Sequence, residues 1–186
     1  MWKRIRWLGI SVVVVTIAAV AMGLQPVWAG TAAEIDSEVD AALEKLYAHS
    51  PAAKDISTIA KGILVFPDVY KAGFIIGGQF GDGALRKNGK TVGYYRTLAA
   101  SYGLQAGIQA FGYALFFIKE EALEYLNKSK GWEIGVGPSL VIVDTGFASS
   151  LTTTTAKDDI YAFFFDQKGL MAGIGLQGAK ITQIDP

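Results

Sequence analysis

Glycine recurs inside the segments whose side-chain pattern is that of β-strands, and this constrains the fold more than any other feature. All but three of the 22 glycines follow Lys61. Glycine within a strand has no side chain to pack and more backbone entropy to lose than other residues. Repeating that cost in several strands predicts tight curvature or backbones that cross closely, as in a small closed or nearly closed barrel. A flat sheet with a helix against its glycine face is the alternative. Between Ala72 and Phe80 the alternation puts Ala72, Phe74, Ile76 and Phe80 on one face, and Gly73, Gly77 and Gly81 on the other beside Ile75 and Gln79.

The strand pattern starts at Ile63-Leu64-Val65-Phe66, a buried-strand signature ended by Pro67-Asp68. Asn88-Gly89 is the strongest hairpin signal, because both central residues of a type I′ turn need positive φ. Val92–Tyr102, Leu104–Ala110 and Tyr113–Ile118 read as further strands separated by Gly103 and Gly112. Trp132–Val136, Leu140–Val143, Ile160–Phe165 and Leu170–Ile184 follow, the last two joined by Asp166-Gln167-Lys168-Gly169 and preceded by a polar loop through Thr152–Thr155. No parallel βαβ rhythm appears, so an antiparallel sheet is expected.

Three helices complete the reading. Thr31 and Glu34 fit a capping box ahead of Ile35, Val39, Ala42, Leu43, Leu46 and Tyr47, which recur at helical spacing. Glu34, Asp36, Glu38, Asp40 and Glu44 cover the opposite face of that helix. Ser50-Pro51 caps a second short helix running to Lys61. A third, inserted helix has Glu120 and Glu121 in its first turn, Lys128 near its last and Ala122, Leu123 and Leu126 on its buried side, with Gly131 as its stop. The expected fold is α+β: two short N-terminal helices and one inserted helix packed on a glycine-rich, strongly curved antiparallel sheet or small barrel.

Residues 1–29 read as an address. Lys3, Arg4 and Arg6 precede an apolar run from Ile10 to Leu24, and Val27-Trp28-Ala29 offers a cleavage site before Gly30. The run is shorter than the ~20 apolar residues of a spanning helix, so a cleaved signal peptide is expected over a retained anchor, with the mature protein periplasmic or secreted. Cleavage near Ala29 would leave 14 basic and 17 acidic residues in one domain over 30–186, helical through 61 and mainly β from 62. That balance does not point to nucleic acid as a partner. The absence of cysteine excludes disulfides, thiolate catalysis and Cys-ligated zinc. His49, the one histidine, sits at a helix end, and no carboxylate or Ser-Lys motif stands out. No catalytic, metal or cofactor residues are expected, and the chain is read as a non-enzyme.

The stretch Ala60-Lys61-Gly62-Ile63-Leu64-Val65-Phe66-Pro67 followed by Lys71-Ala72-Gly73-Phe74 resembles the opening motif of the SYLF family. Tyr102–Gln109 resembles its central motif, and Gly131–Gly135 and Gly169–Gly173 with Leu176–Lys180 match in order and spacing. The resemblance covers roughly residues 35–186. It implies lipid binding, with phosphoinositide and actin-related partners in eukaryotic members and envelope phospholipids in bacterial ones. The expected function is therefore an exported, non-catalytic phospholipid-binding domain of the bacterial envelope. The alternative is an envelope protein-interaction module that docks through the acidic N-terminal helix or a sheet edge.

Two kinds of lipid contact are expected. Arg86, Lys87 and Lys90 at the hairpin tip, with Lys71 and Arg96, could receive phosphate oxygens, or simply keep the turn solvated. In Phe163-Phe164-Phe165, alternation turns Phe164 opposite to its neighbours, so one of the two faces is covered by a helix or meets something apolar. Gly78-x-x-Gly81-x-Gly83 reverses the dinucleotide fingerprint and reads as strand curvature.

Overall fold

Two strands carry most of the architecture. The computed structural model describes residues 30–129, 131–169, 176 and 178–186, with the backbone alone at 74–76, 101–107, 145 and 169. The expected signal peptide lies outside the described residues, as do 170–175 of the expected closing strand. Strand β1 (Gly62–Lys87) and strand β2 (Lys90–Phe117) form one antiparallel ribbon from Gly62↔Phe117 to Lys87↔Lys90. The ribbon turns at Asn88 (φ 52°) and Gly89 (φ 73°), as the Asn-Gly pair predicts. The five separate strands expected between Ile63 and Ile118 are thus two continuous ones. Pro67-Asp68 does not end a strand. It sits in a register shift between Phe66 and Val69, on a strand that pairs on one side only, where a missing N–H costs no ladder bond.

The ribbon folds back on itself, and glycine makes the crossing possible. A Cβ at Gly81 would lie 2.6 Å from the Asp68 carbonyl oxygen and 2.9 Å from Val69 Cγ2, although both residues belong to the same strand. The curved-sheet expectation is correct, for the steric reason given. Strand β2 spans the curve. Its Gln109–Phe117 end pairs with β5 (Ile160–Gly169), and its Tyr94–Leu98 end pairs with β6 (Lys180–Ile184). A two-residue strand β3 (Trp132–Glu133) extends the sheet beyond β6, and β4 (Leu140–Val143) lies beside β5.

Three local expectations need correction. The β4–β5 pair is parallel, so the sheet is mixed; the helix α4 (Thr145–Ala148) and the polar segment after it supply the crossover. Asp166–Gly169 is not a hairpin turn but part of β5. Asp166 has φ 50° and falls in a register shift between the Gly112↔Phe165 and Ala110↔Lys168 pairs, which places the bend inside the strand. The second helix, α2 (Pro51–Ser57), stops short of Lys61 because the Lys61 N–H already bonds to the Phe117 carbonyl and starts the ribbon.

The helices pack as their patterns require. The first, α1 (Ala32–His49), is a full 18 residues and opens with the predicted capping box. Its Ile35, Val39 and Leu46 are buried with Ile56 against Val65, Ala114, Phe116 and Phe163 on the convex face of the sheet. Each such aliphatic side chain contributes about 1.5–3 kcal/mol when buried. The inserted helix α3 (Glu120–Lys128) buries Ala122, Leu123 and Leu126, as expected. It closes one end of the concave core with Leu64, Phe66, Tyr113, Leu115 and Trp132. Both faces of Phe163-Phe164-Phe165 are covered: Phe163 stacks edge-on against Phe116 beneath the helices, and Phe164 lies against Phe111 and Tyr113 inside the curve.

Candidate functional site

The polarity of the ribbon inverts along its length. Near the helices, both of its faces carry apolar side chains into the two cores. At the bend, beyond α1 and α2, the inward face turns polar and the outward face stays apolar. Val69 and Phe111 belong to the concave core, and two residues further along the same face stand Lys71 and Gln109. Gln79 shares that face with Gly81, and Thr97 with Tyr95. All four polar residues are buried. Thr97 is satisfied by the Tyr113 hydroxyl, which donates at 2.8 Å to its Oγ1; burial pushes the Tyr113 phenol far above its ordinary range. Gln79 Nε2 and Gln109 Oε1 have no partner.

Outside the same stretch, Tyr70, Phe80, Leu98 and Ile108 are exposed, Ile108 by 73%. Tyr70 and Phe80 lie with ring centroids 5.9 Å apart across the fold-back. Residues 69–81 and 97–112 contain a single charged side chain, that of Lys71, and it points inward. Soluble β-proteins place these classes the other way round, whereas strands that contact lipid carry an apolar exterior. Sequence reasoning singled out Lys71 but missed Gln79, Gln109, Tyr70 and Ile108. The charge-free stretch on either side of the bend was the available signal.

The predicted basic residues are dispersed. Arg86 is half-buried under α1, where its Nη2 donates to Asp40 Oδ1 at 2.7 Å and to the Asp36 carbonyl at 3.0 Å, while Nη1 donates to Thr91. Asp36 also accepts from Thr91 and Tyr94, so two carboxylates of the acidic helix face are spent within the fold. Arg96 makes a two-pronged pair with Asp82, its cross-strand neighbour, at 2.6 and 2.8 Å. That bond raises the Arg96 pKa further. Lys87 reaches Glu120 at 3.1 Å, and Lys90 is exposed at the turn. Lys71 stands apart from the other four, inside the bend. Phe164 is half-buried, far from any cation of the hairpin tip in the order of the sheet.

A groove of about 720 Å³ runs between the junction of α1 and α2, α4 and the Phe163–Asp166 part of β5. Its polar groups serve the fold. Lys45 bonds to Asp166 at 2.8 Å, Asp144 caps α4 through the Phe147 N–H, and the His49 ring meets the Lys45 carbonyl. Among the described residues no group of three His, Cys, Asp or Glu could hold a metal.

The family comparison bears on the same strands. Residues 98–185 match the model of the Ysc84 family, described as "Las17-binding protein actin regulator". The chain carries a SYLF-type domain. The match begins in β2 at the bend, runs through the inserted helix to β6, and takes in three of the four motifs that carry the resemblance. Within it fall Leu98, Ile108, Gln109 and Phe164, whereas Lys71, Gln79 and the hairpin tip precede it. Over those residues the chain is similar to that family. No curated protein matches the chain.

Proposed function

We propose that this SYLF-type protein is an exported, non-catalytic phospholipid-binding domain of the bacterial envelope, and that the bend of the β1–β2 ribbon is the part that meets the membrane. One observation carries the reading: an apolar exterior of Tyr70, Phe80, Leu98 and Ile108 at a point where the interior is polar. Leaving such side chains in water forgoes about 25 cal/mol for each Å² of apolar area, which a lipid surface would recover. Among the described residues no helix is long and apolar enough to cross a membrane. Export rests on the basic and apolar pattern of residues 1–29. The lack of catalysis is supported by the family's binding character and by the internal pairing of Arg86, Arg96, Lys45 and Asp159.

Vesicle flotation of the protein as purified from its host tests the membrane part. Wild type should be retained on vesicles of envelope phospholipids, and Ile108→Asp should reduce retention at unchanged thermal stability. Wild type that floats with no vesicle composition, or an Ile108→Asp protein retained like wild type, removes the reading. Intact mass of the purified protein tests export: a chain beginning near Gly30 is expected, and a cytosolic chain beginning at Met1 would contradict it.

A further inference from the structure

Resting on the membrane reading above, we propose that the hollow side of the bend receives the headgroup of a phospholipid, with its phosphate against Lys71 and Gln79 and its hydrogen-bond donor against Gln109. Lys71 is 7% exposed. All 17 acidic residues of the chain lie in the described part of the molecule, and none is within ion-pair distance of Lys71. The Lys71 side chain is therefore folded into the bend with no carboxylate to pair its charge. A cation held in so apolar a stretch, with no carboxylate of the chain beside it, is suited to an anion from elsewhere.

Two further buried groups face the same way. Gln79 and Gln109 are 5% and 4% exposed, and each has one unmet polar atom: a donor, Nε2, on Gln79 and an acceptor, Oε1, on Gln109. Lys71 and Gln109 are direct cross-strand neighbours, which brings their Cβ atoms to about 5 Å. Gln79 approaches from the returning half of β1. The approach of Gly81 to Asp68 and Val69 leads on to the Tyr70–Phe80 ring pair, and Lys71 and Gln79 are the next residues toward the bend, both turned inward. A cation, an amide donor and an acceptor thus share the inward side of the bend, whose outer side carries exposed apolar side chains.

A phospholipid headgroup has the complementary set. Phosphate oxygens accept from the ammonium and the amide N–H, and a glycerol hydroxyl or ethanolamine ammonium donates to Gln109 Oε1. The acyl chains leave over Tyr70 and Phe80. Free phosphate would satisfy the cation alone; the apolar rim favours the lipid as the source.

The test compares retention on vesicles of phosphatidylethanolamine, phosphatidylglycerol and phosphatidylcholine, whose headgroup lacks a donor. Wild type should prefer the first two. Lys71→Met should lower retention on them by about tenfold, the worth of one charge-assisted hydrogen bond. Its melting temperature should hold, because Lys71 makes no ion pair that the substitution would break. Lys71→Arg should restore retention. Gln109→Leu should abolish only the preference over phosphatidylcholine, and it decides the matter if Lys71→Met does not fold. Excess inorganic phosphate should leave the protein on the vesicles. Lys71→Met and Gln109→Leu proteins that sort among the three lipids as wild type does would overturn the proposal, as would full displacement by inorganic phosphate. Ile108→Asp separates the two readings: it should weaken retention on all three lipids, and its failure to do so strikes the membrane reading itself rather than the headgroup assignment.

Discussion

A Cβ on Gly83 would fall on the carbonyl oxygen of Val65 and within 2.8 Å of the Phe66 ring. The two residues belong to opposite halves of one strand, so their contact records how far the ribbon folds back. Gly83→Ala should therefore destabilise the domain by about 3 kcal/mol or prevent its folding, because backbone rather than a side chain must yield. Gly78→Ala is the control. Its added carbon would be 3.7 Å from the Ala99 carbonyl oxygen, an ordinary contact, and should cost less than about 0.5 kcal/mol. Urea unfolding of the two variants checks the contrast.

Arg86 should matter to stability more than any other basic residue of the hairpin tip. It joins Asp36 and Asp40 of α1 to Thr91 of β2 from a site where its own side chain is 11% exposed. Arg86→Ala removes a mostly buried side chain together with its bonds to Asp36, Asp40 and Thr91, and should cost about 1–2 kcal/mol. Lys90→Ala, at the exposed turn, should change the unfolding midpoint by little. Equal effects of the two variants would contradict this account.

Phe164 is a further test of what the aromatic run does. Its ring is 5.9 Å from both Phe111 and Tyr113, centroid to centroid. Phe164→Ala opens a cavity beside the concave core and should cost about 3 kcal/mol. Vesicle retention measured below the lowered melting temperature should match wild type; a specific loss of retention would make Phe164 a lipid contact.

Acid should loosen the junction of β2, β4 and β5. Asp159 accepts from Lys119 Nζ at 2.6 Å and from the Ser139 N–H at 2.8 Å, and these bonds hold its carboxyl below the ordinary range. The group binds a proton more readily when unfolded. Its contribution is thus complete above the usual aspartate value of about 4 and is lost as pH falls from there through the lower folded value. Melting temperatures taken between about pH 6 and 2.5 should fall less steeply on the acid side for Asp159→Asn than for wild type.

Much of this was legible without coordinates because it depends on neighbours in the chain. The Thr31–Glu34 capping box, the Ser50-Pro51 helix start, the Asn88-Gly89 turn and the buried face of α3 are local arrangements, and each was read from a few adjacent residues. The curvature was also readable, since glycine has few other reasons to recur within strands. The continuity of β1 through Pro67 and of β5 through Asp166 was not. Whether a proline or a positive-φ residue ends a strand or bulges within it depends on which edge is paired, and that is a property of the assembled sheet.

The partition at the bend lies on the same divide. Alternation along one strand determined that Lys71 and Tyr70, or Gln79 and Phe80, point opposite ways. Only the fold-back of the ribbon decided which of those sides became the inside. It also gave Arg86 and Arg96 carboxylates from distant segments while leaving Lys71 none, because charge pairing depends on distances in space that sequence separation does not set.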